Sequence, residues 1–313
     1  MREVDREALA RTAPTDEILD AKFYRPLAAY VVRAVRPTRV TPNQLTCLCM
    51  FAGMLSGWCI AHGAARMMWA GATLLVASLV LDCSDGQLAR ERGGGSTAGR
   101  ILDGLADYIV AFSVHLGVLL FLVARGVEFR GRVAGTGELF LFVLAAGVSM
   151  AFQSALFDFY KHRFLFRTGL DYRKDAETAE NFRAELERAS MPLDRLLIRI
   201  FIPYLRFQEW MLERGGSRRV EERPSDDEAR DYARRNATIL RAWSLVGPTG
   251  HMSLLAIAAA LTPLWPDAFV AYALFAIFPQ NLYAVALLGW QSYANHVAGG
   301  GATSTGDPLS HEA

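Results

Sequence analysis

The chain has 313 residues, of which 52% are hydrophobic and 21% charged, and its mean hydropathy is +0.17. That is too apolar on average for an ordinary soluble domain of this length. The formal net charge of +1 is uninformative by itself, because the charges are distributed very unevenly.

Residues 1–14 are polar and are expected to be loosely ordered. From Asp16 to Val35, the residues Ile18, Leu19, Phe23, Leu27, Tyr30, Val31 and Ala34 recur at helical spacing, with Lys22, Arg25 and Arg33 between them. This is the pattern of an amphipathic helix. It either lies in the membrane interface or packs on the protein's own soluble face. Pro37 and Pro42 then interrupt the chain.

Charged side chains are missing from residues 40–65, 67–81, 108–124, 139–157, 242–266 and 268–295. A spanning helix needs about 20 mostly apolar residues, so these runs predict an all-α integral membrane protein with six transmembrane helices. The run 67–81 would rise only about 22 Å, so its helix has to continue through Asp82 and Asp85. The third helix mirrors it, entering through Gly99, Asp103 and Asp107 before its apolar part begins. Pro248 and Pro279 are expected to kink the fifth and sixth helices, opening a lateral path for lipid. No cleavable signal peptide is expected, since the first forty residues hold no apolar core of the needed length.

The predicted organisation is a cytoplasmic N-terminal segment (1–39), four transmembrane helices (40–157), a cytoplasmic helical insertion (158–237), two further transmembrane helices (238–297) and a disordered tail (298–313). Within the insertion, residues 191–214 form another amphipathic pattern. It either grips the bilayer, caps a site, or is a solvated helical hairpin. Lys and Arg concentrate in the N-terminal segment, between the second and third helices, and after the fourth. The positive-inside rule puts all three on the cytoplasmic side. Cys47, Cys49, Cys59 and Cys83 all fall in or beside apolar helices and are read as reduced structural residues. His115 and His251 lie inside apolar runs and are read as buried histidines packed between helices.

The stretch LDCSDGQLARERGGGSTAGRILDGLADY, residues 81–108, places four aspartates at the edge of two membrane helices. On a helix Asp82, Asp85, Gly86 and Ala89 share one stripe, and Gly99, Asp103 and Asp107 share another. The short connection makes the two helices neighbours, so both stripes can face one cavity. Converging carboxylates repel one another unless a cation occupies the site. All-oxygen donors select Mg²⁺, Mn²⁺ or Ca²⁺, and a pair of such ions suits phosphate chemistry. Gly86 and Gly99 remove side chains where helices approach or a nucleotide lies against the backbone. Ala89 is small for the same reason, and Arg90 offers a planar fork for phosphate. An ion site in a cation-coupled transporter and a non-enzymatic membrane scaffold are the rival readings. The first predicts acidic residues deep in several helices, and helices one, four and five carry none in their apolar parts.

This stretch resembles the signature of the CDP-alcohol phosphotransferase family, D-x2-D-G-x2-A-R-x8-G-x3-D-x3-D, with every fixed position present between Asp82 and Asp107. The segment VTPNQLT, residues 40–46, is similar to the family's entry into its first membrane helix. The stretch before it is similar to the entry segment of members handling inositol phosphate compounds. The long insertion departs from the shorter members.

The resemblance implies a transferase that moves a phospho-alcohol, such as the phosphatidyl group of CDP-diacylglycerol, to an acceptor hydroxyl and releases CMP. It implies two Mg²⁺ or Mn²⁺ ions on Asp82, Asp85, Asp103 and Asp107, with Asp107 also the general base. Asn43, Asp82, Gly86, Ala89, Arg90 and Gly99 would hold the nucleotide. Asn43 is otherwise a helix-capping residue. Lys161 and Arg163 are read either as acceptor-phosphate ligands or as positive-inside anchors. A homodimer in the plasma membrane, with the site facing the cytoplasm and no nucleic-acid partner, completes the expectation. A product that is a soluble phosphodiester rather than a phospholipid stays open at this point.

Overall fold

A computed structural model describes residues 15–94, 97–129, 131–169 and 225–300, with a few single positions between 186 and 202. The expected loose N-terminus (1–14), most of the insertion with its amphipathic stretch 191–214, and the tail from 301 onward lie outside the described residues.

The protein is an all-α integral membrane protein. Among the described residues, six helical segments are long and apolar enough to cross a membrane: Pro42–His62, Ala65–Glu91, Gly99–Arg125, Thr136–Leu165, Asp226–Leu261 and Ala268–Ala294. In chain order, a π-helical turn, Asp20–Tyr24, leads into α1 (Arg25–Val35). Then follow α2 (Pro42–His62), α3 (Ala65–Glu91) and α4 (Thr97–Arg125). A two-residue hairpin of β1 (Glu128–Phe129) and β2 (Arg132–Val133) precedes α5 (Thr136–Arg167). The other helices among the described residues are α6 (Asp226–Trp243), α7 (Pro248–Leu261), α8 (Ala268–Ile277) and α9 (Pro279–Gly300).

The α1 segment packs on the protein's own helices through one side of its amphipathic pattern. Tyr24, Ala28 and Val32 are buried, and Val32 packs on Leu45 of α2 and Leu88 of α3. Leu19, Phe23, Leu27 and Tyr30 stay exposed, which suits a helix lying at the membrane interface.

The two aspartate-bearing helices, α3 and α4, are not packed along each other as the short connection suggested. Each packs along α2, which is wedged between them. The α2–α4 contact is backbone to backbone. A Cβ on Gly57 would lie 2.3 Å from the Ser113 carbonyl oxygen, and one on Gly117 would lie 2.2 Å from the Gly57 carbonyl oxygen. In lipid, association rests on such close packing rather than on hydrophobic burial.

The helix α5 continues ten residues past the end of its charge-free run. Apolar residues keep recurring on its inner face: Phe157 and Phe164 pack with Ile239, Leu240 and Trp243 of α6, and Tyr160 stacks on Trp243 at 4.8 Å. At the far side of the insertion, α6 begins at Asp226 with a capping box of Ser225 and Glu228. The described helices therefore extend into the region read from sequence as insertion at both of its ends.

Pro248 and Pro279 do more than kink their helices. Each starts a new one, at the first helical position, where its missing N–H is not needed. The break before Pro279 is closed by side chains. Gln153 donates to the Ala276 carbonyl (3.0 Å) and to Asn281 Oδ1 (2.8 Å), while Asn281 donates to the Ile277 carbonyl (2.8 Å) and Ser149 Oγ (2.9 Å). His251, fully buried, bonds Gln153 Oε1 through Nε2 at 2.8 Å. Since that oxygen can only accept, Nε2 carries the proton. His115 on α4 holds its Nδ1 on the Ala111 carbonyl at 2.8 Å, and its ring faces Gly147 of α5. Both histidines thus pack between helices. All four cysteines are free thiols.

Candidate active site

The site begins at the entry to α2. Thr41, in extended conformation, caps the helix in a reciprocal box with Gln44: Gln44 N–H donates to Thr41 Oγ1 (3.3 Å) and Thr41 N–H to Gln44 Oε1 (2.9 Å). Asn43 therefore does not cap this helix; it sits exposed in the first turn. The preceding strand of chain is held by Arg92, just beyond α3, which donates to the carbonyls of Val40 (2.5 Å) and Thr38 (3.3 Å).

In front of α2 the two aspartate stripes converge. One ligand oxygen from each of Asp82, Asp85 and Asp103 falls within 4.8 Å of the others. Asp82 and Asp103 are half-buried, Asp85 is buried, and Asp107 is exposed and joined to Asp82 by a side-chain hydrogen bond. Among the described residues this is the group of three or more His, Cys, Asp or Glu whose geometry could hold a metal ion. Its donors are all oxygen, which fits a hard divalent cation such as Mg²⁺ or Mn²⁺.

Asp85 accepts a hydrogen bond from Thr46 Oγ1 of α2 at 2.5 Å. Thr46 ends the VTPNQLT segment, and its link to Asp85 escaped the sequence reading. A hydroxyl one turn into α2 was visible there, but not the wedging of α2 between the other two helices.

On the same helix face a Cβ at Gly86 would meet only the Arg90 guanidinium, 3.5 Å away. Gly86 is therefore not demanded by helix packing and leaves open backbone beside an exposed Arg90. Ala89 and Gly99 are half-exposed on their helices.

Lys161 and Arg163 lie half-buried on α5 and part company. Lys161 Nζ sits 5.7 Å over the Phe157 ring and its charge reaches Asp20. Arg163 acts on Tyr160 instead.

The segment before α1 adds two acids to this neighbourhood that the sequence did not single out. Glu17, 5% exposed, accepts from the Thr249 N–H (3.3 Å) and the Gly250 N–H (3.2 Å). It thereby caps α7, whose own N-cap residue, Gly247, has no side chain. Burial, with the charge of Asp20, pushes its pKa from 4.5 up to about 8 against these two amides. Asp20 accepts from Thr249 Oγ1 at 3.2 Å and from the Cys83 thiol at 3.8 Å. Burial raises its pKa as well. No local pattern announces either role, because the partners in α7 are more than 200 residues away.

The architecture and site define a polytopic helical membrane protein with a convergent carboxylate group at the ends of two helices. Comparison with known proteins bears on that part of the chain: residues 39–164 match the model of the CDP-alcohol phosphatidyltransferase family. Two curated relatives from strains of Helicobacter pylori, each a CDP-diacylglycerol–serine O-phosphatidyltransferase, are 33% and 32% identical over 117 residues. The match covers 37% of this chain and 46% of each relative, so the chain spans about half the length of the curated relatives it matches.

Proposed function

We propose that this protein is a divalent-metal-dependent transferase that moves a phosphatidyl group from CDP-diacylglycerol to an acceptor hydroxyl, releasing CMP, in phospholipid synthesis. The observation that carries this reading is the convergence of Asp82, Asp85 and Asp103 within 4.8 Å inside the family-matched segment.

In this reading Asp82, Asp85, Asp103 and Asp107 hold Mg²⁺ or Mn²⁺, as two ions. When bound, the metal offsets pyrophosphate charge and eases departure of CMP. Asp107, which is exposed, takes the acceptor's proton. Asn43, Asp82, Gly86, Ala89, Arg90 and Gly99 hold the nucleotide, with Arg90 as the fork for phosphate. Lys161 and Arg163 are the candidate ligands of an acceptor phosphate. A diacyl donor explains why the site lies at the end of membrane helices. Exposed α1 residues beside α3 give that donor an interfacial approach. We place the site on the cytoplasmic face of the plasma membrane, on the strength of the Lys and Arg distribution, and expect a homodimer on the family resemblance alone.

The names of the relatives put serine first among acceptors. The test is CMP release from CDP-diacylglycerol by purified protein with Mg²⁺ or Mn²⁺, offering serine, glycerol phosphate, inositol phosphate and inositol in turn. Release with one acceptor, abolished by chelation, supports the reading and names the substrate. Silence with every acceptor, in protein that binds Mn²⁺, would refute the diacylglycerol donor and turn attention to soluble CDP-alcohols.

A further inference from the structure

The wall behind the carboxylates is α2, and Thr46 on that helix bonds one of them directly. Thr46 is 3% exposed and Asp85 5%. The Thr46 hydroxyl has a single hydrogen and two acceptors in reach, the Pro42 carbonyl at 3.2 Å and Asp85 Oδ2 at 2.5 Å. The shorter contact, to a carboxylate, takes that hydrogen, because charge-assisted hydrogen bonds are the stronger ones. The Gly86 backbone N–H also reaches the Asp85 carboxylate.

We propose that Thr46 is a positioning residue for Asp85, fixing the carboxylate so that one oxygen is engaged by α2 and the other is left for a divalent cation shared with Asp82 and Asp103. The inference rests on the metal-dependent transferase reading above and adds to it a residue outside the aspartate signature. The torsion that swings a carboxylate about its Cβ–Cγ bond is soft, so Asp85 without a partner on α2 would sample orientations that chelate poorly. Removal of such an outer-shell partner commonly weakens metal binding 10–100-fold. The bond also ties α2, whose first turn holds Asn43, to the metal ligands on α3. The relative placement of the two helices is then set at the site itself.

The experiment titrates Mn²⁺ into purified protein without substrates, reading free Mn²⁺ by electron paramagnetic resonance, for wild type, Thr46→Ser, Thr46→Val and Asp85→Asn. We expect Thr46→Val, which keeps the shape but loses the hydroxyl, to weaken Mn²⁺ binding about 10-fold. Thr46→Ser should stay within about threefold of wild type, since it keeps the donor. The Mn²⁺ concentration for half-maximal CMP release should move by the same factor, while the donor KM at saturating Mn²⁺ stays put. Unchanged Mn²⁺ affinity in Thr46→Val would overturn the proposal, and so would an effect confined to the donor KM, which would give the hydroxyl to the donor. Failure of the underlying reading looks different: wild type would bind no Mn²⁺, or Asp85→Asn would bind it as tightly as wild type. The serine variant guards against misfolding, because a structural loss in Thr46→Val with normal behaviour in Thr46→Ser still isolates the hydroxyl.

Discussion

Glu17 and Gly250 are joined by a 3.2 Å hydrogen bond across 233 residues of sequence, and through it the N-terminal segment closes the first turn of a membrane helix. The fit is tight at Gly247: a Cβ there would lie 2.3 Å from the Glu17 carboxyl carbon. Gly247→Ala should therefore push Glu17 off the α7 amides, leaving them without a cap. The expected cost is about 1–3 kcal/mol. Faster proteolytic cutting before α1, with a lower melting temperature in detergent, would report it. An unaltered cutting rate would show that the segment docks without this bond.

The same contact makes docking of the N-terminal segment depend on pH. Glu17 has a pKa of about 8 in the folded protein against a usual 4.5, so the folded state holds the proton more tightly than the unfolded one. Its stabilising contribution is full below about pH 4.5, falls as pH rises through the interval to about 8, and is flat above. A shift of this size corresponds to roughly 5 kcal/mol across that window. Asp20, also raised by burial, acts in the same direction. Glu17→Gln should flatten most of the profile when proteolysis of the N-terminal segment is followed from pH 5 to 8.5. A profile as steep as that of wild type would mean that Asp20 or another group sets it.

The helices were legible in the sequence because charge-free runs and a bilayer's thickness leave little choice. Two ends were not. Past Phe157, Asp158 and then Lys161 and Arg163 stop the apolar run, yet Phe157, Tyr160 and Phe164 pack against α6, a partner more than sixty residues on that no local pattern names. The aspartate register was legible because helical periodicity fixes which residues share a stripe. What periodicity could not give was α2 standing between the stripes. That arrangement depends on Gly57 and Gly117 meeting backbone to backbone, and it is also what brings Thr46 to Asp85.

That glycine contact is open to test. Gly117→Ala would place a methyl group 2.2 Å from the Gly57 carbonyl oxygen, and backbone on a neighbouring helix cannot swing aside as a side chain can. The two helices must separate, with an expected loss of about 1–3 kcal/mol. Because α2 carries Thr46 and α4 carries Asp103, Mn²⁺ affinity should fall as well. Gly104→Ala, where nothing lies within 4 Å of the added carbon, should leave stability within about 0.5 kcal/mol of wild type. Equal melting temperatures for Gly117→Ala and wild type would show that the helices have slack at this point.

Gln153 presents a second case in which a side chain substitutes for broken backbone. It bonds the Ala276 carbonyl, Asn281 and His251 at once. Gln153→Leu removes all three while keeping an apolar bulk, leaving His251 Nε2–H without its acceptor. Intramembrane hydrogen bonds are worth about 1–2 kcal/mol each at most, so a loss of roughly 2–3 kcal/mol is expected, measured by unfolding in mixed micelles. A double substitution with Asn281→Ala should cost less than the sum of the two singles, since both remove one shared bond. Strict additivity would mean that the two residues stabilise the bundle separately.

Asp107 differs from its three neighbours by being exposed, which suits the role of base that it adds to a share in holding the metal. In the proposed reaction a base must meet the incoming hydroxyl, whereas ligands must meet one another. Asp107→Asn keeps the shape and can still bond Asp82, but the amide cannot take a proton. CMP release should fall by about 10²–10⁴-fold, with Mn²⁺ binding retained to within about 10-fold. Asp85→Asn and Asp103→Asn, inside the 4.8 Å group, should lose Mn²⁺ binding and activity together. The distinguishing measurement is therefore the pair of numbers for each variant, not activity alone. If Asp107→Asn abolished Mn²⁺ binding as completely as Asp85→Asn, Asp107 would be a ligand first, and the proton of the acceptor would have to leave by another route.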